Sequence, residues 1–195
     1  MDNIFNITDK IKTQILDGTF KPSKTNHKVN LQELKKDVEY NLSKKRLYEL
    51  ENKYGDVIFA GVPKSRNQNR WRFIFHYQFD IPLSAALHGK LIKKINKKYN
   101  NNYVDSGLFH YPPGGYCGWH TNSDTLGERI YLVWAEEDNK SFFRYRDSNT
   151  GEIITKWEKK GWQVQRFEPP IWHCVGSYTN RISVGFREQK DIVDT

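Results

Sequence analysis

From Trp71 to Asp80 the chain sets Trp71, Phe73, Phe75, Tyr77 and Phe79 alternately against Arg72, Ile74, His76, Gln78 and Asp80. That period of two predicts one half-buried strand. Before it the period is helical. Thr8 or Asp9 is placed to cap a first helix, with Ile11, Ile15 and Leu16 on one face and Gly18 past its end. Phe20 to Val29 reads as a loop. Asn30-Leu31-Gln32-Glu33 has the form of a capping box. It opens a second helix in which Leu31, Leu34, Val38, Leu42, Leu47 and Leu50 recur, ending at Tyr54-Gly55. After the strand, Asp80-Ile81-Pro82 leads into an amphipathic helix with Leu83, Leu87, Leu91, Ile92, Ile95 and Tyr99 on one side, closed by Asn100-Asn101-Asn102.

From Tyr103 onward short apolar runs are broken by Gly, Pro and Asn. They predict strands at 104–111, 116–121, 129–135, 141–146, 152–157, 162–167, 171–176 and 180–187. Asp147-Ser148-Asn149-Thr150-Gly151 predicts a hairpin turn. Helices followed by about eight strands predict an α+β, mainly β chain: a jelly-roll or barrel with helices packed on a sheet. Residues 1–55 are read as an N-terminal helical segment packed on the core, and 56–195 as the β domain.

Composition adds detail. Six Trp, eleven Tyr and eleven Phe build a core from few residues and argue against disorder. Two cysteines, Cys117 and Cys174, make no disulfide framework. No apolar run approaches a membrane span, and the first residues lack a basic segment followed by an apolar one. The expectation is a soluble, cytoplasmic protein. The net charge is +8, and its excess lies in residues 51–100, with ten Lys and Arg against three Asp and Glu. That basic stretch, Lys64 to Arg72 and Lys90 to Lys98, has two readings: attraction of a phosphate-bearing partner, or an ordinary solvated helix face and loop.

The chemistry concentrates in Trp119-His120-Thr121-Asn122-Ser123-Asp124, Trp172-His173 and Arg181 to Arg187. Two ligands at i and i+2 on a strand point the same way, so His120 and Asn122 form a candidate pair, and His173 supplies a third ligand from a distant strand. Two His and one carboxylate on one face describe a mononuclear Fe(II) site, and here Asn122 stands at the third position. In Arg181-Ile182-Ser183-Val184-Gly185-Phe186-Arg187, period two puts Arg181, Ser183, Gly185 and Arg187 on one face. Inward arginines call for an anion, and a dicarboxylate would supply one: Arg181 can grip a carboxylate bidentately while Ser183 adds a hydroxyl. An exposed polar edge strand is the plainer reading of the same face.

Together, Tyr111-Pro112-Pro113-Gly114, His120 nine residues after that Tyr, and the terminal Arg181-x5-Arg187 resemble the Fe(II)/2-oxoglutarate dioxygenase superfamily, most closely its AlkB-like branch. The resemblance covers roughly Ile81 to Arg187. It implies a double-stranded β-helix with Fe(II), 2-oxoglutarate and O2. It implies iron on His120 and His173, and 2-oxoglutarate against Tyr111, Arg181 and Ser183, with Arg187 completing the anchor. It implies hydroxylation or oxidative demethylation, with a nucleic-acid base or a protein side chain as substrate. The chain departs from the pattern twice. Asn122 stands where the family has Asp, and Phe109 where the branch has Asn.

Asn122 leaves three readings open: a neutral oxygen ligand, replacement by Asp124 as the carboxylate, or an inactive site on a binding or structural module. The resemblance also pairs Asp124 with Arg187. A zinc site from Cys117, His120, His173 and Cys174 is disfavoured, since adjacent strand residues face opposite ways. His27, His76, His88 and His110 read as structural or solvated, and Trp119 and Trp172 as core. Arg129, Tyr131 and Trp134 are further candidates for the substrate side.

Overall fold

The computed structural model describes residues 2–22, 38–54, 74–79, 85–122 and 126–190. Among them ten strands form two five-stranded sheets in which every pairing is antiparallel. They are β1 (Ile74–Phe75), β2 (Tyr77–Phe79), β3 (Tyr103–Tyr111), β4 (Tyr116–His120), β5 (Arg129–Ala135), β6 (Ser141–Arg146), β7 (Ile153–Trp157), β8 (Gly161–Phe167), β9 (His173–Ser177) and β10 (Arg181–Glu188). One sheet runs β1-β4-β9-β6-β7 and the other β2-β3-β10-β5-β8. The eight strands predicted after Tyr103 are all present, with ends shifted by at most two residues.

The alternating segment before them is not one strand. It breaks at His76: β1 pairs with β4 in the first sheet, while β2 pairs with β3 in the second. The chain therefore steps from sheet to sheet at His76. His76, read as structural or solvated, is 7% exposed between the layers.

Helices cover both outer faces. Helix α1 (Asp2–Leu16) and α3 (Ala85–Tyr99) bring Ile4, Ile11, Ile15, Leu91 and Ile95 onto Leu108, Ile130, Leu132, Ile182, Val184 and Phe186. Ile182, Val184 and Phe186, on this helix-covered face, alternate with Arg181 and Ser183, so the parity read for β10 is the parity observed. Burial of each large aliphatic or aromatic group contributes about 1.5–3 kcal/mol. Residues 38–41 are helical, a turn follows, and α2 (Lys44–Tyr54) continues. Val38, Leu42, Leu47 and Leu50 pack on Tyr116, Trp119, Phe142, Trp172 and Cys174 of the other sheet.

Three helix expectations change. The first helix starts at Asp2, so Thr8 is an interior residue; its hydroxyl donates to the Phe5 carbonyl within the helix rather than capping an end. Leu16 is 42% exposed and lies off the buried face. The second helical pattern is interrupted at Leu42-Ser43, where the Ser43 hydroxyl accepts from the Arg46 amide and caps α2. The capping box at Asn30, the basic stretch Lys64 to Arg72, and the Asp80-Ile81-Pro82 entry to α3 lie outside the described residues. Gly18 does end α1 at φ 77°, and Asn100 closes α3 at φ 49°. Among the described residues no helix is long and apolar enough to cross a membrane.

Candidate metal centre and anion-binding cavity

The inner faces of the two sheets enclose a cavity of about 230 Å3. Phe109, Tyr111, Tyr131, Arg181 and Ser183 line it from one sheet. Cys117, His120, His173 and Val175 line it from the other. His76, Gln78, Ser106 and Asn122 complete the wall.

His120 and His173 reach it through an irregularity in β4. Cys117 pairs with Val175 and His120 with His173, so three steps on β4 oppose two on β9. This bulge puts Cys117 and His120 on the same side, while Tyr116 and Trp119 point outward into the α2 cluster. Trp119 is fully buried there and its indole N–H donates to the Ser43 carbonyl at 2.9 Å. Trp172 is likewise core, as expected.

The two imidazoles are cross-strand partners with centroids 4.1 Å apart. His120 Nδ1 lies 2.7 Å from the Gly118 carbonyl, and His173 Nδ1 lies 2.8 Å from the Ile171 carbonyl. A carbonyl only accepts, so both Nδ1 atoms carry a proton, and a neutral ring then has its lone pair on Nε2. His173 also packs against Phe143 and Phe167. Burial, and then the neighbouring His120, hold its pKa well below the ordinary value, so the ring is neutral at physiological pH.

Asn122 joins them by a route that strand parity does not describe. Strand β4 ends at His120, and Asn122 takes a left-handed φ of 56°, which Asn tolerates better than most residues. Its Nδ2 lies 3.2 Å from His173 Nε2 and donates to that lone pair. A half-turn of the amide puts Oδ1 in the same place. Asp124 lies outside the described residues. Among the described residues no group of three His, Cys, Asp or Glu is arranged to hold a metal.

The cysteines do not join. Burial pushes the Cys117 thiol up to about 12, so it stays protonated, although its sulfur is 3.7 Å from His120 Nδ1. Cys174 faces the α2 cluster on the opposite side of the sheet.

The anion-binding side is built on β10 and β3. Arg181 is opposite Tyr111 in register, with its guanidinium 5.0 Å from the Tyr111 ring centre. Burial raises the Tyr111 phenol well above its usual pKa, so it presents a neutral hydroxyl. Ser183 is 4% exposed and lines the cavity. The anion that Arg181 was expected to need comes from the protein. Arg181 Nε and Nη2 each donate to Glu158 at 2.8 Å, and Glu158 is 23 residues away in sequence.

Arg187 continues the same face but lies opposite Arg129, half-buried and outside the cavity wall. Of the further substrate-side candidates, Tyr131 lines the cavity. Arg129 is buried outside its wall, and Trp134 packs against the α1 and α3 cluster. His76, which the sequence reading set aside, also lines the cavity, between Phe109 and Tyr111. Its signal was the polar position in an aromatic strand just before a change of sheet.

No protein-family model matches the chain, and no curated protein does. Solved structures do. An oxidoreductase of the 2OG-Fe(II) oxygenase family from Burkholderia pseudomallei aligns over 73% of this chain and 76% of its own, with 9% identity and a TM-score of 0.46. A prolyl-4-hydroxylase from Pseudomonas putida aligns over 80% and 88%, with 16% identity and a TM-score of 0.43. Peruvianin-I, a cysteine peptidase from Thevetia peruviana latex, aligns over 43% of this chain at 17% identity and a TM-score of 0.33, and the chain spans half of its length. At these scores the likenesses carry no inference about activity.

Proposed function

We propose that the cavity is a mononuclear Fe(II) and 2-oxoglutarate site, and that the chain is a dioxygenase acting on a nucleic-acid base or a protein side chain. The observation that carries this reading is the in-register pair His120 and His173, each with Nδ1 tied to a carbonyl, in one cavity with Arg181, Ser183 and Tyr111. Strands β3 to β10 occupy the two sheets in the orders β3-β10-β5-β8 and β4-β9-β6-β7, which supports reading the core as a double-stranded β-helix.

The residues fit such a metal through two imidazole nitrogens and the Asn122 amide oxygen, with Asp124 the alternative third ligand. When bound, ferrous iron with 2-oxoglutarate supplies oxidative decarboxylation coupled to C–H hydroxylation. The chain's own part is positional. The carbonyls of Gly118 and Ile171 fix the ring orientations. Tyr111, Ser183 and Arg181 offer hydrogen-bond donors to a carboxylate, and Phe109 and Tyr131 wall the cavity against water. Arg187, beyond the cavity, would pair with Asp124.

Anaerobic Fe(II) titration followed by a succinate-release assay tests the reading. Metal-dependent succinate above a His120→Ala control supports it. Absence of both metal binding and succinate leaves a non-catalytic binding module in its place.

A further inference from the structure

Glu158 lies on the connection between β7 and β8 and is 3% exposed. It holds Arg181 side-on, through Nε to Oε2 and Nη2 to Oε1, both at 2.8 Å. Oε2 also accepts from the buried Ser141 hydroxyl at 2.5 Å. The backbone of Glu158 is pinned as well: its amide donates to the Ser141 carbonyl at 2.9 Å, and its carbonyl accepts from the Asn139 amide at 2.8 Å. A carboxylate held at so many points is fixed in place.

The placement of the pair decides what it does. Arg181 lines the cavity and Glu158 does not, so the carboxylate backs the guanidinium from behind the wall. Glu158 does not use Nη1. Nη1 and the second proton of Nη2 therefore remain as donors for a ligand, but the positive charge is already balanced. The other titratable groups that act on Arg181, the Tyr111 and Tyr131 phenols and the Cys117 thiol, are all raised by burial and add no charge.

We infer that Glu158 is a specificity-determining residue: it makes Arg181 half of a neutral pair, so the cavity reads the far end of its ligand by hydrogen bonding rather than by net charge. The inference rests on the proposed 2-oxo-acid site. The ligand class is then 2-oxo acids with a hydrogen-bonding far end, in which an uncharged amide competes with a carboxylate. An unbalanced buried guanidinium would instead prefer the carboxylate by about a hundredfold or more.

The test compares 2-oxoglutarate with its 5-amide, 2-oxoglutaramate, by calorimetry and by ligand-induced rise in melting temperature, on the Fe(II)-loaded protein under nitrogen. The wild-type protein is expected to separate the two by less than about tenfold, and Glu158→Gln to widen the gap to about a hundredfold by tightening 2-oxoglutarate alone. A wild-type gap of about a hundredfold, or a folded Glu158→Gln protein with an unchanged gap, overturns the inference and leaves the 2-oxo-acid site standing. Should Glu158→Gln fail to fold, the wild-type gap decides. If metal binds and neither ligand does, the cosubstrate reading itself falls, and this inference with it.

Discussion

His120 and His173 face each other across β4 and β9, in register, with ring centroids 4.1 Å apart. Two imidazolium cations this close would repel, and each ring is held by its Nδ1 atom on a backbone carbonyl. In the proposed site the pair supplies the two nitrogen ligands. His173→Ala and His120→Ala are each expected to weaken Fe(II) or Co(II) binding by about a hundredfold or more, as measured by anaerobic titration. Equal affinity in the wild-type and variant proteins would rule out the pair as ligands.

Asn122 is the second point of leverage. It stands at φ 56° with its amide 3.2 Å from His173 Nε2. Asp accepts a left-handed φ nearly as well as Asn, so Asn122→Asp changes the charge with little change in backbone energy. If Asn122 is the third ligand, the variant binds Fe(II) at least about tenfold more tightly, equivalent to 1.4 kcal/mol. If Asp124 is the ligand, Asn122→Asp changes little and Asp124→Ala abolishes binding. Titrating both variants separates the two cases.

The sequence made the late strands legible because their signals are local: aromatic and β-branched runs ended by Gly, Pro and Asn. The inward face of β10 was legible for the same reason, since period two sorts Arg181 and Ser183 from Ile182 and Val184 without reference to any other strand. What stayed hidden depends on partners. The β4 bulge, which turns Cys117 and His120 to one side, exists only against β9. Glu158 is an unremarkable acidic residue in a connection until folding brings it to Arg181. For His76 the sequence leaves structural and solvated readings open, because alternation marks two faces of a strand without saying that both are covered.

His76 gives a pH prediction. Burial, helped by His120, lowers its pKa to about 4, and its Nδ1 has no hydrogen-bond partner. Unfolded, it takes up a proton near the usual 6.5. Between those values the unfolded chain binds more protons than the folded one. Stability is therefore full above about pH 6.5 and falls as pH drops toward 4, at up to about 1.4 kcal/mol per pH unit for this group. His110 and His173, also lowered by burial, act in the same direction. His76→Phe keeps a ring between Phe109 and Tyr111 and removes the titration. Urea unfolding at pH 8 and pH 5 should show a drop in stability about 2 kcal/mol smaller in the variant than in the wild-type protein. An equal drop in both would place the acid sensitivity elsewhere.

The turn after Tyr111 gives the last prediction, and its two glycines act for different reasons. Gly114 has φ 84°, which favours glycine. Gly115 is needed for space: a Cβ there would sit 2.8 Å from the Pro112 carbonyl oxygen and 2.9 Å from Tyr111 Cα. Those are backbone atoms and cannot rotate away. The turn is also tied to the end of β9, because the Gly114 amide donates to the Ser177 carbonyl at 2.8 Å and the Ser177 amide to the Gly115 carbonyl at 2.9 Å. Relief of the clash must therefore shift Tyr111, the cavity residue beside Arg181, or break those bonds. Gly115→Ala is expected to destabilise the fold by about 1–3 kcal/mol and to weaken ligand binding in the cavity. Gly89, inside α3, is the control, since a Cβ there meets nothing within 4 Å. Gly89→Ala should raise stability by about 0.5–1 kcal/mol, because alanine loses less backbone entropy than glycine in a helix. Thermal and urea unfolding of the two variants should therefore move in opposite directions; a loss of stability in both would mean that backbone freedom, and not the contact with Pro112 and Tyr111, governs Gly115.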